Sequence, residues 1–181
     1  MKRGSWILWL ALVPAFAQIR MAATAPVVPA IKAPPPGSSL SALEKNFDDN
    51  LQITGVPDRL QLRGFTRALR IDDYGAVFTA EVDLVAAPTL NPFQMSISPQ
   101  QASEVHQRKL TNLVLLRKTM REMMTTSANA LTALAPEGHI VVAVRLAYQS
   151  WEQREGLPAQ IVMKASRQDA QAGQIQTTED Q

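Results

Sequence analysis

Apolar and polar side chains alternate along several short stretches of the chain. In residues 74–85, YGAVFTAEVDLV, every second position from Ala76 to Leu84 is apolar, whereas the positions between them are mixed. A period of two predicts a strand with one face against a core. A weaker strand is predicted over residues 60–69. The turn chemistry of residues 72–75, DDYG, predicts that the two strands form an antiparallel hairpin.

A second hairpin is predicted towards the carboxyl end. Residues 139–149, HIVVAVRLAYQ, and residues 159–165, AQIVMKA, both place apolar side chains at alternate positions. The loop between them contains Gly156 and Pro158, which interrupt regular structure. These two strands are therefore predicted to pair with each other.

A long amphipathic helix is predicted over residues 98–134. Ser98 can cap its start, Pro99 suits its first position, and Gln101 completes a capping box. A kink near residues 125–127 is an alternative to a straight helix of this length. At 100° per residue its core face consists of Ala102, Val105, Leu113, Leu116, Met120, Met123, Met124, Leu131 and Leu134.

A shorter helix is predicted over residues 38–51, where Ser39 or Ser41 can cap the start and Glu44 can form a capping box with Ser41. The predicted order is helix, hairpin, long helix, hairpin. Only the long helix is large enough to cover a sheet with one apolar face. The pattern therefore predicts an α+β fold of two layers. An antiparallel four-stranded sheet in ββαββ order is covered by one long amphipathic helix, with a short N-terminal helix.

The first 17 residues have the pattern of a secretory signal peptide. Lys2 and Arg3 precede a short apolar run, and Ala15 and Ala17 match a cleavage site. The run is shorter than the roughly 20 residues that a membrane span needs. We expect cleavage after Ala17, export by the general secretory route to the periplasm or the extracellular space, and no stable span afterwards.

The rest of the chain divides by composition. Residues 18–37 contain five of the 12 prolines and predict an extended linker, or a Pro-rich ligand for a groove. Residues 38–167 hold all the predicted strands and helices and are expected to form a single domain. Residues 168–181 are polar and predict a disordered tail.

Charge and cysteine content exclude several classes of function. Removal of residues 1–17 leaves 16 Lys and Arg against 16 Asp and Glu, which argues against a dedicated nucleic-acid-binding protein and against electrostatic docking to a membrane. The chain has no Cys, so disulfides, cysteine nucleophiles and cysteine metal sites are excluded. No Gly-rich phosphate loop, nucleophile elbow or metal-binding motif is present. We therefore expect no metal and no cofactor.

Five residues are candidates for surface or interaction roles. His106 lies on the border of the helix's apolar face and could act as a general base, with Arg117 or Arg121 holding an anion. A packed helix-border histidine is the simpler interpretation. Trp151 and Tyr148 lie at the lip of the second hairpin's loop, where Trp151 could anchor a partner or cover the end of the sheet. The methionines of the long helix are interpreted as core rather than as a binding surface.

Three blocks of this chain resemble a group of exported bacterial proteins of unknown function. The blocks are a Y-G-x-V-F-T strand, a long amphipathic helix and an S-W-E-x-x-x-G-L-P-x-Q-I-V-M hairpin, which span residues 58–167. The resemblance implies a recurring domain and carries no activity, cofactor or site residue.

These observations favour a non-catalytic interaction or binding module of the cell envelope or the secreted fraction. Its expected partner is an unknown protein or another envelope component. The alternative is a hydrolase without a recognisable motif. A hydrolase should place His106 or a carboxylate beside Arg117 or Arg121 in a cleft. An interaction module should instead expose an apolar patch or a free sheet edge.

Overall fold

A computed structural model of the chain describes residues 34–55, 58–86, 88 and 96–180. The predicted signal peptide and the linker up to residue 33 lie outside the described residues. The elements are α1 (Leu40–Ile53), β1 (Gln61–Leu62), β2 (Arg67–Ile71), β3 (Gly75–Asp83), α2 (Pro99–Ala130), β4 (His139–Leu146), β5 (Gln160–Ser166), α3 (Arg167–Gln171) and β6 (Gln176–Asp180).

The fold is α+β, with one mixed sheet of six strands. β1 and β2 pair with the same edge of β3, and the sheet continues in the order β3, β4, β5, β6. The two predicted hairpin pairings, β2 with β3 and β4 with β5, are antiparallel and are confirmed. No helix within the described ranges is long and apolar enough to cross a membrane.

The prediction of a wholly antiparallel four-stranded sheet is wrong, because β3 and β4 are parallel. The 32-residue helix α2 connects these two strands. A helix of this length returns the chain to the end of the sheet where β3 began, so that β4 runs in the same direction as β3. Alternation within each hairpin does not encode how the two hairpins join.

The helices cover one face of the sheet and form the core with it. The alternate residues of β3 from Ala76 to Val82 are buried, as are those of β4 from Ile140 to Leu146. The predicted core face of α2 is buried from Ala102 to Met124, so its methionines are core residues. The helix ends at Ala130, before the predicted Leu134. The Ser98 cap and the capping box are present as expected.

The predicted strand over residues 60–69 is divided by a bulge. The Arg63 amide donates to the Glu81 carbonyl over 2.7 Å, whereas Arg67 already lies opposite Thr79. Residues 64–66 therefore have a single opposite residue, Ala80, which is the arrangement of a β-bulge. We call residues 61–71 the β1–β2 strip.

The prediction of a disordered tail is wrong over residues 168–180. Ser166 caps α3 by accepting from the Asp169 amide, and Ala170 is fully buried. β6 then pairs with β5 through backbone hydrogen bonds, although all five of its residues are exposed. An edge strand gains order from the ladder itself and needs no apolar residue. For this reason composition alone did not predict it.

Candidate functional site

Helix α2 places a lysine in the middle of its apolar face. Lys109 lies one turn after Val105 and one turn before Leu113, and its side chain is 0% exposed. A charged side chain is almost never fully buried unless it is paired. The position of Lys109 therefore requires buried partners.

Two carboxylates meet the Lys109 ammonium at the carboxyl end of the parallel strands. Asp83, the last residue of β3, has its Oδ1 2.9 Å from Lys109 Nζ. Glu152, in the loop between β4 and β5, has its Oε2 2.5 Å from the same nitrogen. The carboxylate side chains are 6% and 2% exposed. We call Asp83, Lys109 and Glu152 the lysine cluster.

The ammonium of Lys109 has an acceptor for each of its three N–H groups. The third acceptor is the Ala147 carbonyl, 3.4 Å from Nζ. An ammonium has three donors and no acceptor, so these three contacts use its full bonding capacity. Lys109 is therefore arranged as an anchor between helix, strand and loop rather than as a nucleophile open to a substrate.

The charges of the lysine cluster continue to the surface. Arg63 Nη2 lies 3.7 Å from Asp83 Oδ2, and its side chain is 47% exposed. From Arg63 through the cluster to Glu152 the charges alternate in sign, so each buried charge has an opposite charge beside it. This compensation is what allows ionised groups to remain in a low-dielectric interior.

Tyr148 covers one side of the lysine cluster. Its ring centroid is 4.9 Å from Lys109 Nζ and 5.0 Å from Arg154 Cζ, which are cation–π distances. Its hydroxyl donates to the Pro158 carbonyl over 2.7 Å. Burial raises the pKa of the Tyr148 phenol far above its usual value. The group therefore stays protonated and acts as a donor within the loop.

His106 and Asn112 make further polar contacts on the side of α2 that carries Lys109. They lie three residues before and after Lys109, on one side of the helix. His106 Nδ1 is 3.1 Å from the Gln153 carbonyl. Asn112 Nδ2 donates to the carbonyls of Asp58 and Leu84, each over 2.6 Å. The N-terminal half of α2 thus binds three separate loops by their polar groups.

Trp151 is half-buried in the same loop as Glu152. Its Nε1 is buried without a hydrogen-bond partner within the described part of the chain, and so is Glu152 Oε1. Within the described residues the Trp151 indole N–H therefore has no hydrogen bond to a loop carbonyl. The partial burial of the ring is the observation that favours a packing role over full exposure to a partner.

We expect Trp151→Ala to destabilise the fold by about 2 kcal/mol, because it removes a partly buried aromatic ring. Trp151→Phe should retain most of this stability, since the lost N–H has no partner in the structure. Urea unfolding of both variants measures the difference. In the wild-type domain, an indole that emits in the red and is freely quenched by acrylamide would contradict the packing role.

Arg117 and Arg121 lie away from the lysine cluster. Arg117 forms two hydrogen bonds of 2.7 Å with the Glu179 carboxylate of β6. This contact raises the pKa of the guanidinium and ties the edge strand to α2. Arg121 is exposed on the outer side of α2. His106 meets neither arginine, because its ring contacts the Gln153 carbonyl. A carboxylate does lie beside Arg117, that of Glu179, and Arg121 and Glu122 line a separate cleft next to Gly173 and Ile175.

All three members of the lysine cluster were missed as functional candidates in the sequence. The position of Lys109 could have predicted a buried ion pair, because a lysine at a core position of an amphipathic helix needs a partner. Asp83 was expected on the outward face, but the alternation ends there and Asp83, Leu84 and Val85 are all buried. Glu152 lies beside the predicted Trp151 and showed no distinguishing pattern.

A cleft of about 360 Å³ opens beside Tyr148, and its lining includes Arg154, Glu155 and Leu157. None of the three residues of the lysine cluster lines it. Across the described residues, no group of three or more His, Asp or Glu side chains is placed to hold a metal ion. The cleft and the cluster therefore do not combine into one chemical site.

A second candidate site, besides the lysine cluster, is the sheet face opposite the helices, which we call the open face. Its residues form rows across neighbouring strands. Leu69 pairs with Val77, Val77 with Val141, and Val141 with Lys164. The adjacent rows are Arg67, Thr79, Ala143 and Val162, and then Glu81, Arg145 and Gln160. No described helix covers these rows.

Large apolar side chains are exposed at one edge of the open face. Leu69 is 61% exposed and Ile71 is 42% exposed, both on the outward side of β2, and Phe65 in the bulge is 71% exposed. The fourth exposed large apolar residue of the described ranges, Val114 at 62%, stands apart on α2. Grouped exposed apolar residues of this kind mark interaction surfaces, whereas single ones do not.

The backbone of the β1–β2 strip is shielded at its outer edge. Asp48 accepts from the Thr66 amide over 2.9 Å, and Glu44 accepts from the Ala68 amide over 2.6 Å. These α1 carboxylates occupy donors that an added strand would need. Binding at this edge is therefore favoured through side chains of the open face rather than through strand addition.

Comparisons with known proteins add no family to these observations. The chain matches no protein-family model, no curated protein and no solved structure.

Proposed function

We propose that the protein is a non-catalytic interaction module that binds its partner with the open face. The observation that supports this most directly is the grouping of Phe65, Leu69 and Ile71 on the β1–β2 strip. Soluble domains rarely leave grouped large apolar side chains in water unless a partner covers them. The open face is also the only broad sheet surface of the described domain that no helix covers.

The hydrolase alternative has weaker support from the polar groups. His106 contacts a backbone carbonyl, and Arg117 is paired with Glu179. The Lys109 ammonium has three internal acceptors. A general base or an anion-binding arginine must instead reach the reacting atoms of a substrate. These residues are better explained as supports that hold loops and the edge strand against α2.

We also propose that the module is exported by the general secretory route and works in the periplasm or outside the cell. The support is the sequence pattern of residues 1–17. The resemblance to exported bacterial proteins of unknown function points in the same direction. The partner is then an envelope or extracellular component.

Site-specific photo-crosslinking in the producing cells tests the binding face. With p-benzoylphenylalanine in place of Leu69, we expect a discrete adduct, because the open face is covered when the partner binds. With the same probe in place of Val114, no adduct is expected, although the two positions are equally exposed at 61% and 62%. Gel shift and mass spectrometry identify adducts with protein or lipid.

The matched control makes the outcome decisive. Equal labelling at both positions would indicate contact without preference, and no adduct at Leu69 would indicate an uncovered face. Either result would overturn the proposed function. Circular dichroism of both probe variants shows whether each is folded.

A further inference from the structure

The open face is cationic, whereas the rest of the described domain is slightly acidic. Four of the 18 Lys and Arg residues precede residue 34, and all 16 Asp and Glu residues follow it. On the open face, Arg67, Arg145 and Lys164 outnumber Glu81 and the distant Asp180 of β6. The positive charge is therefore a local property of this face and not of the rest of the described domain.

Arg67 stands beside exposed apolar residues on the outward side of the β1–β2 strip, whereas Arg70 pairs with the buried Ala76 on the side that the helices cover. Within residues 59–71, RLQLRGFTRALRI, there are four arginines and no acidic residue. Arg67 and Leu69 are neighbours on the outward side of β2, and Arg63 lies just before the bulge that holds Phe65. The outward side of β2 thus carries the guanidinium group of Arg67 next to the large apolar side chain of Leu69.

This combination matches the boundary between lipid headgroups and acyl chains. Guanidinium groups bind phosphates, and aromatic or aliphatic side chains insert into the apolar region just below. A sheet face is broad and nearly flat, so it can place both kinds of side chain on a bilayer at once. From this geometry we infer that the partner of the open face is an anionic lipid surface.

This inference rests on the proposed function, since it names the partner of the same face. A second copy of the chain is a poorer occupant, because two such faces would bring cationic arginines against each other. An acidic protein could match the charge. It would not explain as directly why Phe65, at 71%, is the most exposed of the large apolar residues.

Vesicle co-sedimentation of the folded protein tests the inference. We expect binding to phosphatidylcholine vesicles that contain phosphatidylglycerol, and little binding to phosphatidylcholine alone. Raising the salt from about 0.05 M to about 0.5 M should weaken binding, because the Debye length shortens. Arg67→Gln should weaken binding about fivefold, as for one arginine at an anionic surface. Leu69→Ser should weaken it about tenfold.

Two variants on the helical side serve as controls. Arg121→Gln removes an exposed arginine of α2, and Val114→Ser removes an exposed apolar side chain of α2. Both should bind like the wild type, with unchanged circular dichroism. Equal binding to neutral vesicles, equal losses in the controls, or no vesicle binding at low salt would each overturn the inference. A protein adduct at Leu69 in cells without vesicle binding would leave the proposed function standing and identify a protein partner.

Discussion

Lys109→Met is expected to destabilise the domain by about 3–5 kcal/mol, because it leaves Asp83 and Glu152 buried without their opposite charge. Methionine keeps most of the volume of the lysine stem, so loss of packing should contribute little. The free energy of unfolding is measured in urea, which is uncharged and does not screen the ion pairs. We expect a transition at lower urea concentration with an unchanged slope.

A combined variant separates charge from packing. Lys109→Met together with Asp83→Asn and Glu152→Gln removes all three charges and keeps the shapes of the side chains. Its stability should recover most of the loss, since replacing a complete buried ion group is far less harmful than removing one member. A single variant within about 1 kcal/mol of the wild type, or a combined variant as unstable as the single one, would contradict this account.

Gly75→Ala is expected to destabilise the domain by about 3 kcal/mol or more, or to prevent folding. Gly75 has a φ of 145°, and a Cβ built there would lie 1.9 Å from the His139 carbonyl oxygen. The contact is with the backbone of β4, so it cannot be relieved by turning a side chain. Gly75 and His139 form the first pair of the parallel β3–β4 ladder. The strain therefore acts where the two halves of the sheet join.

Gly64→Ala is the matched control for the contact between a Cβ at residue 75 and the backbone of β4. Gly64 also has a positive φ, 85°, but a Cβ there would meet nothing within 4 Å. Only the backbone preference is lost, which costs about 1–2 kcal/mol. Thermal or urea unfolding compares the two variants. Similar losses at both positions would show that the contact with β4 does not matter.

Much of the secondary structure was predictable, because periodicity is contained within a dozen residues. The alternation of residues 74–85 predicted β3, and Ser98, Pro99 and Gln101 marked the start of α2. β6 was not predictable from apolar content, since none of its residues is buried. A signal for α3 was present in Ser166 and Asp169, which have the spacing of a cap.

The candidate sites were only partly predictable. Tyr148, His106 and Trp151 lie together around the loop of the second hairpin, whereas Arg117 and Arg121 do not join them. The residue that organises this region, Lys109, was overlooked, although a lysine within the apolar face of a helix needs a buried partner. On the open face, Leu69 was predicted as an ordinary strand residue, and Ile71 lay beyond the predicted end of that strand. They are exposed because the helices cover the opposite face of the sheet, which only the tertiary structure shows.

By itself, the sequence determined the two hairpins, the capped helix α2, its methionine core and the impossibility of disulfide bonds. These properties depend on residue type and on spacing along a short segment. The tertiary structure alone decided that β3 and β4 are parallel, that residues 83, 109 and 152 meet, and that one sheet face stays uncovered. Those properties depend on contacts between residues dozens of positions apart, which local periodicity does not encode.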